Sequence, residues 1–324
     1  MPLIKQSSYQ TSLLKKSGHY QSIYPSLFRT VEFQQPERER ISTPDNDFLD
    51  LDWYKQNSRK LVIVTHGLEG NSTRAYIRGM AKRFFTSGFD VCAWNFRSCS
   101  GEINRALRMY HSGDTDDIQT VIKNAISKNN YDSIVLIGFS MGGNVTLKYL
   151  GQFADSVPEI IKGAVAFSVP VDLFASAIRL EDLENKIYMI RFLKMLGEKV
   201  KLKSEMYPEK ISYEGYSKIK NFKQFDDRYT AKIHGFKDAE DYWIQSSSLQ
   251  YLSKIRIPAL LVNAQNDPFL TEECFPKEIA EKSDTFYFEF PESGGHCGFV
   301  TDSEFYWSEE RALEFVKEKV LNGI

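Results

Sequence analysis

Ser140 stands in Gly138-Phe139-Ser140-Met141-Gly142, directly after the apolar run 133–137 and at the start of a segment of helical period over 141–154. Small residues on both sides of a serine let a strand turn sharply into a helix and lift the hydroxyl outward, where it can act as a nucleophile. The competing reading is a helix N-cap, in which the same hydroxyl only accepts a backbone N–H. A serine attacks an acyl carbon when a base takes its proton and an acid orients that base. His296 is the expected base: it lies in Glu292-Ser-Gly-Gly-His296-Cys-Gly298, a glycine-rich loop between the last strand-like run and the last helix-like segment. Asp267 closes the run 259–267 and is the expected acid, with Asp172, just beyond the run 161–167, as the alternative. Acyl transfer also needs two backbone N–H groups aimed at the developing oxyanion. One is expected from Met141, the residue after the nucleophile. The other is expected from Leu68 in His66-Gly67-Leu68-Glu69-Gly70, with His66 bracing that loop and Gly67, Gly138 and Gly142 letting the backbones approach.

Other chemically capable residues have plainer readings. His111, in Tyr110-His-Ser-Gly113, precedes a helix start at Asp114-Thr115 and is expected to hydrogen-bond there. His19 and His234 read as surface or packing residues. The pair Asp226-Asp227 reads as a tie between an insertion and the core. Cys297 is adjacent in sequence to His296, so their side chains diverge, and both it and Cys99 read as packing cysteines.

The elements that must position these residues follow from the apolar pattern. Residues 38–43 and 48–54 alternate apolar and polar, as in an antiparallel pair with one wet face. Short apolar runs at 61–65, 89–94, 133–138, 161–167, 258–264 and 284–290 read as buried strands. Helical periods lie between most of them, at 72–87, 114–128, 141–154 and 275–283, and a last helix is expected with Ser308 as its N-cap and Leu313, Val316 and Val320 on one face. Such alternation indicates an α/β protein with a mostly parallel sheet covered by helices. Residues 171–245 break it with helical pieces and no strand, as a cap inserted between two strands. Within them, 186–223 carries ten Lys or Arg against four Glu, beside apolar residues such as Ile187, Ile190 and Phe192. That is either a solvated face or a dock for an anionic group or a membrane surface. The first thirty residues carry only a weak pattern.

Composition narrows the class. Of 324 residues, 41 are Lys or Arg and 43 are Asp or Glu, a formal charge of -2 that gives no reason to expect a nucleic-acid partner. Four cysteines with no CxxC pair argue against a zinc or redox motif, and the expected chemistry needs neither metal nor organic cofactor. No run approaches the ~18 apolar residues of a membrane span, and no secretory leader is recognisable, so a cytoplasmic location is expected. The sequence assigns no oligomeric state.

Several segments together resemble one family. They are His66-Gly-Leu-Glu-Gly70, Asn95-Phe-Arg-Ser-Cys-Ser-Gly-Glu102, Tyr110-His-Ser-Gly113, Gly138-Phe-Ser-Met-Gly-Gly143, Phe225-Asp-Asp227, His234-Gly-Phe236 and Gly294-Gly-His-Cys-Gly-Phe299. Over about residues 30–322 the chain is similar to the α/β-hydrolases of the AB hydrolase 4 family, the YheT-like group of predicted carboxylesterases. The resemblance implies an α/β-hydrolase fold with the nucleophile, acid and base on Ser140, Asp267 and His296, in that chain order. It implies a discontinuous core over 30–170 and 246–324, a helical cap over 171–245, and an N-terminal extension, 1–29, on or near the core. Phe96 and Ser98 stand where the family usually has His and Gly, a departure that bears on substrate preference. The expected activity is hydrolysis of short- to medium-chain carboxylic esters through an acyl-enzyme. Acyl transfer to an alcohol and phospholipase- or lipase-type hydrolysis, with peripheral lipid contact, are the alternatives. A non-catalytic binding module is a third, against which the full Ser, Asp and His set argues.

Overall fold

The computed structural model describes residues 2–12, 16–128 and 130–321. Among these, nine strands make one sheet: β1 (Leu3–Ile4), β2 (Glu37–Ser42), β3 (Phe48–Tyr54), β4 (Lys60–Thr65), β5 (Asp90–Asn95), β6 (Ser133–Phe139), β7 (Ile161–Phe167), β8 (Ala259–Val262) and β9 (Phe286–Glu289). Their spatial order is β1-β9-β8-β7-β6-β4-β5-β3-β2, parallel except where β3 meets β2 and β5. The central strands are apolar on both faces because helices cover both. Along β4, Leu61 and Ile63 face one core while Val62 and Val64 face the other; along β6, Ile134 and Leu136 part from Val135 and Ile137 in the same way.

Helix α1 (Gly18–Phe28) precedes the antiparallel pair; α2 (Ala75–Phe85), α3 (Thr115–Ser127) and α4 (Met141–Gln152) follow β4, β5 and β6. Ile77, Met80 and Phe84 of α2 enter one core, and Ile118, Val121 and Ile122 of α3 the other. The chain thus winds outward from β4 to β5, then back across β4 to β6. That reversal brings the carboxyl ends of β4 and β6 side by side, with Thr65 paired to Gly138. In open α/β sheets the crevice at such a reversal is where ligands bind. Between β7 and β8 the chain runs through α5 (Leu173–Arg179), the long α6 (Lys186–Met206), α7 (Phe222–Phe225), α8 (Ala231–His234) and α9 (Ala239–Ser246), with no strand among them. Helices α10 (Lys277–Glu281) and α11 (Trp307–Phe315) complete the order. Leu313, Val316 and Val320 are buried together in the α2 core.

Two expectations need correction. Strand β3 has no wet face: Asp50 and Asp52 are buried because Arg40 and Arg38, directly opposite on β2, each bind one carboxylate through two nitrogens at 2.7–2.9 Å. Such a pair neutralises the acidic face and lets it be covered. The N-cap of α11 is Tyr306, whose N–H donates to Glu309 at 2.9 Å, and Ser308 lies one residue inside the helix. The weakly patterned N-terminus holds both β1, which pairs with β9, and α1.

Candidate active site

Ser140 ends β6 and opens α4. Its N–H donates to the Phe167 carbonyl at 2.9 Å, its carbonyl accepts from Asn144 N–H at 3.0 Å, and its φ is 53°. A left-handed serine is strained, at a cost on the order of 1–3 kcal/mol, and holds only if its surroundings force it. They do: a Cβ on Gly138 would sit 2.5 Å from the Gly142 carbonyl, and one on Gly142 would sit 2.3 Å from the His66 carbonyl. Both glycines permit close passage of strand, helix and the loop after β4. The Ser140 side chain caps no helix N–H. Instead its Oγ lies 2.9 Å from His296 Nε2.

On the other side of the ring, His296 Nδ1 lies 2.9 and 3.1 Å from the two carboxylate oxygens of Asp267. Asp267 is fixed in turn by the Phe269 N–H at 2.9 Å, and its side chain is wholly buried. Burial works against charge on His296, but Asp267, and after it Cys297, whose side chain stays beside the ring and does not diverge from it as expected, outweigh burial and hold the imidazole pKa above its ordinary value. With Nδ1 donating to Asp267, Nε2 faces the serine as an acceptor. Asp172 lies apart from this arrangement: it caps α5, accepting the Ala175 N–H at 2.9 Å.

The loop after β4 is set by hydrogen bonds on every side. His66 Nδ1 donates to the Gly67 carbonyl at 2.7 Å and its Nε2 accepts the Phe96 N–H at 3.1 Å, which fixes a neutral ring. Burial pushes its pKa down to about 3, so it braces and does not titrate. Gly67 N–H goes to the Tyr76 hydroxyl and Glu69 N–H to the Tyr110 hydroxyl. The N–H groups of Leu68 and Met141 have no partner among the described residues, and both residues border the same cavity as Ser140 and His296. Two free donors beside a nucleophile can hold a developing oxyanion.

Other readings resolve as follows. His111 is half-buried, accepts the Gly113 N–H at 3.2 Å and packs on His234 at 4.5 Å between ring centroids; loss of solvent around them pushes the two rings down to about 3 and about 2. His19 shares a hydrogen bond with the Tyr188 hydroxyl at 3.0 Å. Asp226 binds Thr230 and Trp243, and Asp227 binds the Ala239 N–H, so their partners lie within 171–245 and not in the core. Ser98, where the resembled family has Gly, is left-handed with φ 63°, a conformation glycine adopts without cost. Phe96 packs its ring 4.8 Å from His66.

Four contributors were not foreseen. Ser22 on α1 accepts the His296 N–H at 2.8 Å. Ser168 accepts the Cys297 N–H at 2.8 Å, and the Phe269 ring lies 4.1 Å from the His296 ring. Lys199 on α6 donates to Glu69 Oε1 at 2.7 Å, where the Tyr110 hydroxyl also donates at 2.5 Å. Asp-Pro after a strand hints at Phe269; nothing local marks the others. The cavity in front of Ser140 is walled mostly by apolar side chains of the insertion and core, among them Met109, Leu180, Leu196, Phe222, Phe225 and Trp243. No helix among the described residues is long and apolar enough to cross a membrane.

The sequence of residues 60–303 matches the family model described as alpha/beta hydrolase fold. The chain is 31% identical to "Putative esterase YheT" of Escherichia coli (strain K12) over 92% of this chain and 89% of that protein. It is 28% identical to phospholipase ABHD3 of Mus musculus, covering 92% and 74%, and 28% identical to a monoacylglycerol lipase of Saccharomyces cerevisiae, covering 85% and 62%. Among solved structures, the Pyrococcus furiosus esterase Pf2001 superposes with a TM-score of 0.59 at 20% identity, over 90% of this chain and 98% of that one. Matched along most of its length in sequence and in fold, the chain belongs to the alpha/beta hydrolase fold family and, within it, to the group that includes YheT.

Proposed function

We propose that this chain is a carboxylic-ester hydrolase that works through an acyl-enzyme on Ser140. The observation that carries the proposal is the unbroken relay from Ser140 Oγ through His296 to the buried Asp267 carboxylate. His296 Nε2 takes the Ser140 proton as Oγ bonds to the ester carbonyl carbon. The N–H groups of Leu68 and Met141 receive the oxyanion. His296 then gives its proton to the departing alkoxide, and water, activated by the same ring, releases the acid. Residues 171–245 serve as the cap that walls the acyl side. Their apolar side chains support a short- to medium-chain acyl group, and relatives named as a phospholipase and a monoacylglycerol lipase support acyl esters of glycerol among the substrates.

The purified protein is expected to hydrolyse p-nitrophenyl esters in a chain-length series and to be labelled by a fluorophosphonate probe. Ser140→Ala should lose both, with a rate fall of roughly 10³-fold or more. Equal rates for the two proteins would sink the reading. The apolar wall also favours an alcohol over water as acceptor where one is supplied. Product partitioning between acid and ethyl ester on adding ethanol measures that share.

A further inference from the structure

Two grooves of unlike chemistry meet at Ser140. The inner one is the apolar cavity bordered by Met141. The outer one runs between α1 and α6 across the loop after β4, and it shares Ser140, His296 and Phe269 with the inner. Arg74, at the start of α2, and Arg191, on α6, line the outer groove from different walls. Neither guanidinium has a carboxylate partner among the described residues; Arg74 donates only to the Glu69 carbonyl, at 3.4 Å. The other carboxylates and guanidiniums on these walls are already matched: Arg29 lies 2.6 Å from Glu309, and Glu69 lies 2.7 Å from Lys199. Two positive charges thus line the groove that ends at Ser140 with no carboxylate matched to them among the described residues.

The direction of the reaction says what part of a substrate meets them. In the proposed mechanism His296 protonates the leaving oxygen, so the alcohol part lies on the imidazole side of the acyl carbon. The outer groove takes in that side: it is bordered by His296 with Cys297 and Ser22, and the inner cavity by His296 without them. Resting on the ester-hydrolase reading, we propose that the outer groove binds the alcohol part of the substrate and that Arg74 and Arg191 recognise a phosphate carried on it. Two forked donors from separate walls suit a tetrahedral anion better than a flat carboxylate, and arginine is the residue for such contacts. Cleavage breaks the bond between the acyl carbon and the alcohol oxygen, which leaves with the proton taken from Ser140. The products are the free acid and the phosphorylated alcohol.

The test compares 1-butanoylglycerol with its 3-phosphate, which share an acyl chain and differ only in the anion. In the wild type, kcat/KM is expected to be roughly tenfold higher for the phosphate ester at low salt. That ratio should fall toward one in about 0.5 M salt and in the Arg74→Gln, Arg191→Gln double variant. A ratio taken within one protein cancels any loss of folded enzyme. The same pair with hexadecanoyl chains in mixed micelles presents the phosphate as a lipid headgroup. A preference in the butanoyl pair supports a soluble phosphate ester, and a preference confined to the micelles supports the lipid source. Ratios near one in both pairs, or a preference that survives in the double variant, overturn the proposal. Calorimetric titration of Ser140→Ala protein with both butanoyl esters separates the two readings. Preferential binding of the phosphate ester without wild-type turnover upholds the groove and overturns the hydrolase; turnover without preference does the reverse.

Discussion

A general base works from its neutral form, so in the proposed mechanism the charge state of His296 governs when Ser140 is activated. Asp267 holds that pKa above the ordinary histidine value against the opposing effect of burial. Below it the ring is protonated and Nε2 cannot accept the serine proton, so activity rises with pH through an inflection lying above about 6.5. Asp267→Asn removes the larger of the two influences that raise the pKa and leaves only Cys297 to oppose burial. The residual activity of that variant should therefore show its inflection at lower pH than the wild type, besides a fall in kcat of about 10⁴-fold. A kcat/KM profile against pH in both proteins checks the direction. These three residues were legible because each announces itself locally, the serine between glycines, the histidine in a glycine-rich loop, the aspartate at a strand end. Ser22 was not legible, since only the folded chain brings α1 against His296.

Helix α6 braces the loop after β4 through one side chain. Lys199 is mostly buried and touches Glu69, a left-handed residue with φ 52° next to the free Leu68 N–H. Burial disfavours its charge, yet Cys99 and Glu69 beside it raise its pKa above the usual lysine value. Removing it would leave a buried carboxylate unpaired, worth about 3–5 kcal/mol. Lys199→Ala is expected to lower Tm and also to reduce kcat more than it raises KM, because it loosens the loop that carries the Leu68 donor. Lys199→Arg should restore part of kcat, a recovery that a purely structural role would not produce at equal Tm. At this scale the sequence placed the buried strands and most helices within a few residues. It missed where charge pairing changes burial: alternation alone marked Asp50 and Asp52 as solvent-facing, and the pairing with Arg40 and Arg38 is visible only once the register is known. The basic run 186–223 likewise reads as surface, although Lys199 and Lys203 turn inward, Lys203 onto the carbonyls of Asn104 and Ala106.

Across the whole molecule the N-terminal segment is part of the working structure. Tyr9 is buried, its hydroxyl proton shared between Gln21 Oε1 at 2.7 Å and the Val300 carbonyl at 3.0 Å, while Asn266 donates to the Lys16 carbonyl. Deletion of residues 1–29 is expected to lower both Tm and kcat. Ser22→Ala, which takes the acceptor from the His296 N–H and also removes the Ser22 bond to the Gly18 carbonyl within α1, should lower kcat severalfold with a smaller loss of Tm than the deletion; thermal melts and initial rates separate the two. The sequence reads this segment as an extension on or near the core but does not show its elements, because α1 is only weakly amphipathic, contains Pro25, and owes its place to contacts hundreds of residues away.

The pairing of β1 with β9 sets an order of events during synthesis. Leu3 and Ile4 have nowhere to dock until Phe288 and Glu289 have been made, so the first strand of the chain joins the sheet among the last. The helix that steadies His296 follows β1 and rests on the loop after β9, so it too waits for the far end of the chain. A nascent chain can therefore build the central strands and the Ser140 turn while its base is still unsupported, and competence arrives only when the two ends meet. Arrested chains of increasing length, probed for fluorophosphonate labelling, should stay dark until the residues around His296 have cleared the ribosome.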